Sequence, residues 1–354
     1  MLTYDNQYSN QLPEILTVPV NIPFLSGKKP WIIILMILLC LSSYAQQLPR
    51  FSQYFSNEFL VNPAVAGYDG RTVINLAARK QWMGFSDYTP SSYLLSIQGR
   101  ILKKGYNINS GSGRFNKSTK GRVGLGGIVY HDLNGAIERT GGQFSYAYHI
   151  FIRNGQLSFG LTGNVFQYRI NAIRAQLKDP DSDPLNGMIG KSTLVPDANI
   201  GINYLTQNYH VGFAVCQVFQ SKLKIGNSQD FKSSEQIRLL RHYYILADYR
   251  YSQTQSSIWE WEPSMLLLIN ERRGFQGELT LKAFYKRQYW FGLSGRTSGD
   301  LIAMVGVKLN NYYFGYSYDY GFNGLSRYTF GSHEICLTAK FGDTARRYRW
   351  LDRY

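Results

Sequence analysis

Three aspartates, Asp179, Asp181 and Asp183, stand at alternate positions in KDPDSDPLNG (178–187). Carboxylates at that spacing open a calcium loop of the EF-hand kind. Such a loop needs glycine at its sixth position and a bidentate glutamate at its twelfth. Pro184 and Gly190 occupy those two places here, so the stretch reads as a solvated loop in which Asp-Pro pairs make turns. Ser332 and His333 adjoin in GSHEI (331–335), the residue types of a lipase nucleophile and base, but the chain has no G-x-S-x-G elbow. The glycines of GRVGLGGIV (121–129) could cradle a phosphate only if a helix followed them. They read instead as strand glycines that mark a bend or close packing. Of the three cysteines, Cys40 lies in an apolar run near the N-terminus, and Cys216 and Cys336 have neither Cys-x-x-Cys nor zinc spacing. No catalytic, cofactor-binding or metal-binding residue is expected, and no enzymatic activity.

The elements that would position these residues are strands. In NNYYFGYSYDYGF (310–322) aromatics recur at every second place: Tyr312, Phe314, Tyr316, Tyr318 and Tyr320. A period of two means one face of a strand. The same alternation recurs from Arg71 onward. Tyr93, Leu95 and Ile97 oppose Ser92, Ser96 and Gln98; Leu279, Leu281 and Ala283 oppose Glu278, Thr280 and Lys282. His333, Ile335 and Leu337 against Glu334 and Thr338 close a series of about fourteen strands. The polar rows contain Glu, Lys, Asp and Arg, which a dry sandwich core could not hold unpaired. The predicted fold is therefore all-β: a transmembrane outer-membrane barrel of about fourteen antiparallel strands over residues 71–341. Cys216 and Cys336 then face the lumen on strands seven and fourteen, on opposite sides of the barrel, too far apart to bridge.

Composition agrees with this reading. The 354 residues include 28 Tyr and 34 Gly, with aromatics at 15% and charged residues at only 17%. The formal charge of +15 is spread over strand ends, loops and the tail RRYRWLDRY (346–354). That distribution excludes a nucleic-acid stripe and suits an anionic lipid surface or an acidic partner. With the start of strand one and the end of strand fourteen in the periplasm, RNGQ (153–156), TQN (206–208), KRQ (286–288) and NN (310–311) are short periplasmic turns. The connections 170–196 and 219–241 are long outer loops, and 103–121 is a long periplasmic one. Trp82, Tyr93, Trp259, Trp290 and Tyr312 near strand ends are candidates for aromatic girdles.

KKPWIIILMILLCLSSYAQQ (28–47) carries the n-region, h-region and small-x-small site of an export signal, with cleavage expected after Ala45. Residues 1–45 are thus an extension plus signal, 46–70 a periplasmic segment, and 342–354 a basic tail. In the periplasmic segment, Phe51, Tyr54, Phe55, Phe59 and Leu60 recur at three- and four-residue spacing and form a short amphipathic stripe. Asn62-Pro63 ends it. Two roles fit: a lid on the barrel's own periplasmic mouth, or a docking strip for a periplasmic partner.

Three stretches together resemble the PorP/SprF family of the type IX secretion and gliding machinery: PRFSQYFSNEFLVNPAVAG (49–67), RKQWMGFSDYTPSSYLLSIQG (79–99) and GYSYDYGFNGLSRYTFGSHEICL (315–337). The resemblance implies a non-enzymatic outer-membrane component that helps export or hold a cognate secreted protein. That partner would be an adhesin-like protein with a C-terminal sorting domain. It also implies contact with other secretion components, including a periplasmic peptidoglycan-associated protein. The extension before the signal and the basic tail depart from the family pattern. A porin-like channel or small-molecule transporter is the alternative that the strands alone leave open.

Overall fold

In the computed structural model the described residues are 50–342, apart from 87, 102–121, 153–154, 172–188, 224–236, 252–256, 273 and 323. Fourteen antiparallel strands close into one barrel. The first seven are β1 (Thr72–Lys80), β2 (Ser91–Ile101), β3 (Val123–Asn134), β4 (Ile137–Ile152), β5 (Gly155–Ile170), β6 (Ser192–Thr206) and β7 (Tyr209–Cys216). The rest are β8 (His242–Tyr249), β9 (Trp259–Asn270), β10 (Phe275–Tyr285), β11 (Tyr289–Arg296), β12 (Asp300–Leu309), β13 (Tyr312–Gly321) and β14 (Ser332–Phe341). Each strand pairs with its sequence neighbours, and β1 pairs with β14 from Thr72 opposite Phe341 to Lys80 opposite His333. No helix among the described residues is long and apolar enough to cross a membrane.

Alternation sorts the side chains. On β2, Tyr93, Leu95 and Ile97 are exposed, while Ser92, Leu94, Ser96 and Gln98 are buried. On β13, Tyr312, Phe314, Tyr316 and Tyr320 face out, and Ser317 and Asp319 face in. The outer face is thus apolar and aromatic and the lumen polar, the arrangement lipid requires. Trp290 departs from the girdle expectation. Phe291 and Leu293 hold the outer face of β11, so the pleat turns Trp290 inward, where it is 7% exposed.

We call the end bearing Thr72 and Phe341 proximal, and the opposite end distal. Proximal connections are short at 207–208, 286–288 and 310–311. Lys286, Arg287 and Asn310 adopt positive φ of 50°, 55° and 55° there, the twist that tight hairpins favour. The distal end mixes the short connections 135–136, 271–274 and 297–299 with longer ones at 81–90, 217–241 and 322–331. The 217–241 connection includes a two-residue ladder, Lys222–Leu223 with Ile237–Arg238. β6 begins at Ser192, inside the stretch expected to be loop, and carries Pro196 with it.

Candidate functional site: a segment threaded through the lumen

The residues before β1 lie inside the barrel, not below its mouth. They form single turns at Tyr54–Ser56, Glu58–Val61 and Pro63–Val65 joined by extended chain. The side chain of Asn62 accepts from Ala64 N at 3.0 Å, which caps the third turn, and its Nδ2 donates to the Ile202 carbonyl at 3.0 Å. The path descends from the distal end to the proximal one. Arg50 donates to Gln276 (2.6 Å) and Glu278 (3.1 Å) near the distal end of β10. Lower down, Gly67 N donates to Gln98 Oε1 at 3.1 Å, and Arg100 donates to the Tyr68 carbonyl at 2.7 Å.

Charges anchor the upper part. Glu334 on β14 accepts backbone N–H bonds from Ser52 (2.6 Å) and Gln53 (2.9 Å). Ser52 Oγ donates to Asp319 on β13 at 2.7 Å, and accepts from Arg79 on β1 and Arg296 on β11. Arg79 also bridges Asp319 (2.6 Å) and Glu334 (3.1 Å), and Arg296 bridges Glu278 (2.6 Å) and Asp319 (3.0 Å). Every member is buried, and buried charges persist only when paired in this way.

Apolar contacts hold the segment from two sides. Phe51 and Phe59 join Leu94, Ile128 and Ala147, with Leu60 partly buried against them. Tyr54 and Phe55 join Leu246, Leu266, Phe284 and Trp290. Phe55 meets Trp290 edge-to-face at 5.2 Å, and Lys282 Nζ lies 3.9 Å above the Phe55 ring. The five stripe residues are therefore brought together but do not share one face. Short turns replace a continuous helix and send them to opposite walls. In this arrangement Phe51, Tyr54, Phe55 and Phe59 are all buried.

Wall glycines make room for the segment. A Cβ at Gly160 would strike Pro63 and Ala64, one at Gly315 would strike Gln53, and one at Gly124 would strike the Ala66 carbonyl. Gly124 belongs to the glycine run of β3, so close packing is its role. The residues that sequence reasoning missed are polar ones of the segment, chiefly Ser52, Gln53 and Asn62. The available signal was on the wall: Arg79, Glu278, Asp319 and Glu334 point inward and need partners.

The remaining candidates are placed as follows. Cys216 and Cys336 are buried free thiols. His333 bonds the Tyr316 hydroxyl (2.7 Å) and the Phe330 carbonyl (3.1 Å). Asp179, Asp181, Asp183, the cleavage site, the connection 103–121 and the basic tail lie outside the described residues.

Residues 43–339 match the family model for the type IX secretion system membrane protein PorP/SprF. The chain belongs to the PorP/SprF family. A closed barrel with an apolar outer face in that family is an outer-membrane protein, and this chain is a type IX secretion membrane component. Among curated proteins none matches it. Solved structures similar in architecture include Omp33 of Acinetobacter baumannii, at 7% identity and TM-score 0.41, covering 78% of this chain and 100% of that one. A FadL homologue of Pseudomonas aeruginosa is 10% identical with TM-score 0.44, covering 79% and 92%. BamA of Haemophilus ducreyi lacking POTRA domains 1–3 is 8% identical with TM-score 0.39, covering 77% and 70%. In this PorP/SprF barrel, Ser52 and Gln53, Arg79, and Asp319 with Glu334 come from the three quoted stretches and meet in one network.

Proposed function

We propose that this barrel is a non-enzymatic, plugged component that supports export or surface attachment of a cognate secreted protein. That partner is an adhesin-like chain with a C-terminal sorting domain. The observation that carries the reading is the filled lumen. Lys282, Glu278 and Ser317 point inward and are 0% exposed. In a diffusion pore such groups would line water. A barrel closed by its own chain suits a role in which the wall and rims meet other proteins. A periplasmic peptidoglycan-associated partner would then meet the proximal rim, and Phe51, Tyr54, Phe55, Phe59 and Leu60 would act from inside by fixing the plug.

A deletion strain tests this. Loss of one or a few proteins from the cell surface, with small-solute uptake unchanged, is the expected result. A normal surface proteome with altered solute uptake would replace this reading with that of a transporter.

A further inference from the structure

The lipid-facing wall is not uniformly convex. Toward the distal end it carries an apolar groove of about 410 Å³ that spans β14, β1, β2, β3 and β4. Ala78 is the low point. The ladder sets it directly between Tyr93 of β2 and Ile335 of β14, so a methyl lies between two large, exposed side chains. Leu76 and Val129 continue the sides. On the β3–β4 flank, His131 Nδ1 and Thr140 Oγ1 lie 2.7 Å apart in a hydrogen bond.

We propose that this groove seats one acyl chain of a lipid whose net-anionic headgroup is held by Lys80. Apolarity alone selects nothing on such a wall, because bulk acyl chains are as apolar as the side chains they touch. Two further features do select. The first is shape. A groove of this volume falls in the range of pockets that hold a small ligand, roughly 300–1,000 Å³, and its lining is nearly all hydrocarbon. The second is charge. Lys80 projects from the same face of β1 two residues beyond Ala78 and is exposed. Among the described residues no carboxylate forms an ion pair with it. Its apolar stem can lie along the groove's distal mouth while the ammonium reaches headgroup level.

The neighbours of Lys80 do not neutralise it. Its row across the ladder holds His333 on one side, and Ser91, Leu133 and Glu138 on the other. His333 is bonded to the Tyr316 hydroxyl and the Phe330 carbonyl. Glu138 stands three strand spacings from Lys80, roughly 14 Å, and lies opposite Arg169. The groove therefore offers hydrocarbon below and one uncompensated cation above, the order in which a lipid presents its chain and its head. His131 and Thr140 add an imidazole and a hydroxyl between those levels, where ester oxygens of a seated lipid would meet them. The competing occupant is an apolar segment of a membrane-embedded protein. Neither depends on which secreted protein the barrel serves.

The test uses the full mature barrel in mild detergent, mixed with equal amounts of phosphatidylglycerol and phosphatidylcholine of the same chain length. Native mass spectrometry counts the lipid retained. One phosphatidylglycerol per barrel is expected, preferred over phosphatidylcholine by about fivefold, the factor that one lysine near an anionic surface supplies. Lys80→Gln should abolish the preference, with heat-modifiable migration confirming a closed barrel. Ala78→Phe should fill the groove and lose both lipids, whereas Ala283→Phe, on the outer face of β10, should retain them. Wild-type protein that keeps no lipid overturns the proposal and leaves the groove to a protein segment. Equal retention of the two lipids overturns it, as does a preference that survives Lys80→Gln. Retention that survives Ala78→Phe, or that is lost equally in Ala283→Phe, would place the lipid elsewhere and also overturns it. If Ala78→Phe does not close, the preference measured in Lys80→Gln decides alone.

Discussion

Glu334 shows how a single side chain sets the position of a backbone. Its two oxygens take the amide protons of Ser52 and Gln53, and Arg79 balances its charge. Removing one partner from a buried ion network leaves an uncompensated charge, at a cost of about 3–5 kcal/mol. Arg79→Met should therefore destabilise the barrel by that order, measured by urea unfolding in detergent. Glu334→Gln keeps a carbonyl oxygen as acceptor and should cost less. Glycines give a second residue-level contrast. At Gly160 a Cβ runs into Pro63 and Ala64, whereas at Gly163 nothing lies within 4 Å. Gly160→Val should make the segment sensitive to protease and lower the melting temperature, and Gly163→Val should change neither.

At the scale of elements, the strands were legible and the plug was not, for a physical reason. A strand with one face in lipid and one in a polar lumen writes its period into every second residue, as Tyr312 to Tyr320 against Ser317 and Asp319 show. The rule weakens where the lumen is filled. Leu94, Trp290 and Met304 are apolar yet point inward, because the plug offers them apolar partners. It weakens again at Gly141–Gly142 and Pro196, where β4 and β6 extend past their clear alternation. The segment itself has no period that reports a location. Its aromatics at three- and four-residue spacing suggest one amphipathic face, but single turns deliver them to two walls. Burial of each such side chain is worth on the order of 1.5–3 kcal/mol. Phe55→Asp combined with Phe59→Asp should accordingly leave a closed barrel, seen as heat-modifiable migration, with a lowered melting temperature and a protease-sensitive segment. Unchanged melting would mean that the segment is only a tether.

For the molecule as a whole, the consequence of plugging is electrical. Side chains such as Lys282 and Glu278 are dry because residues 50–70 occupy the space that water would take. Wild-type protein reconstituted in planar bilayers should conduct little or not at all. The same barrel lacking residues 50–70 should open steps of current with a preference set by the uncovered charges. The overall class of the protein was readable from residue types and alternation alone. Whether the lumen is open depends on where one aperiodic stretch of twenty or so residues lies, and only the three-dimensional arrangement gives that.

The direction of the threaded segment bears on the order of assembly. From Arg50 near the distal end the described chain runs inside the wall to β1 at the proximal end. Were β1 to meet β14 last, that join would shut around a segment already inside. A bulky, tightly folded tag placed just before Arg50 should hold that join open and leave unassembled protein in the periplasm. The same tag placed after Phe341, which ends at the proximal rim, should be tolerated. Pulse-labelling and heat-modifiable migration would follow the two fusions. Equal assembly of both would mean that the leading end is inserted after the wall has shut.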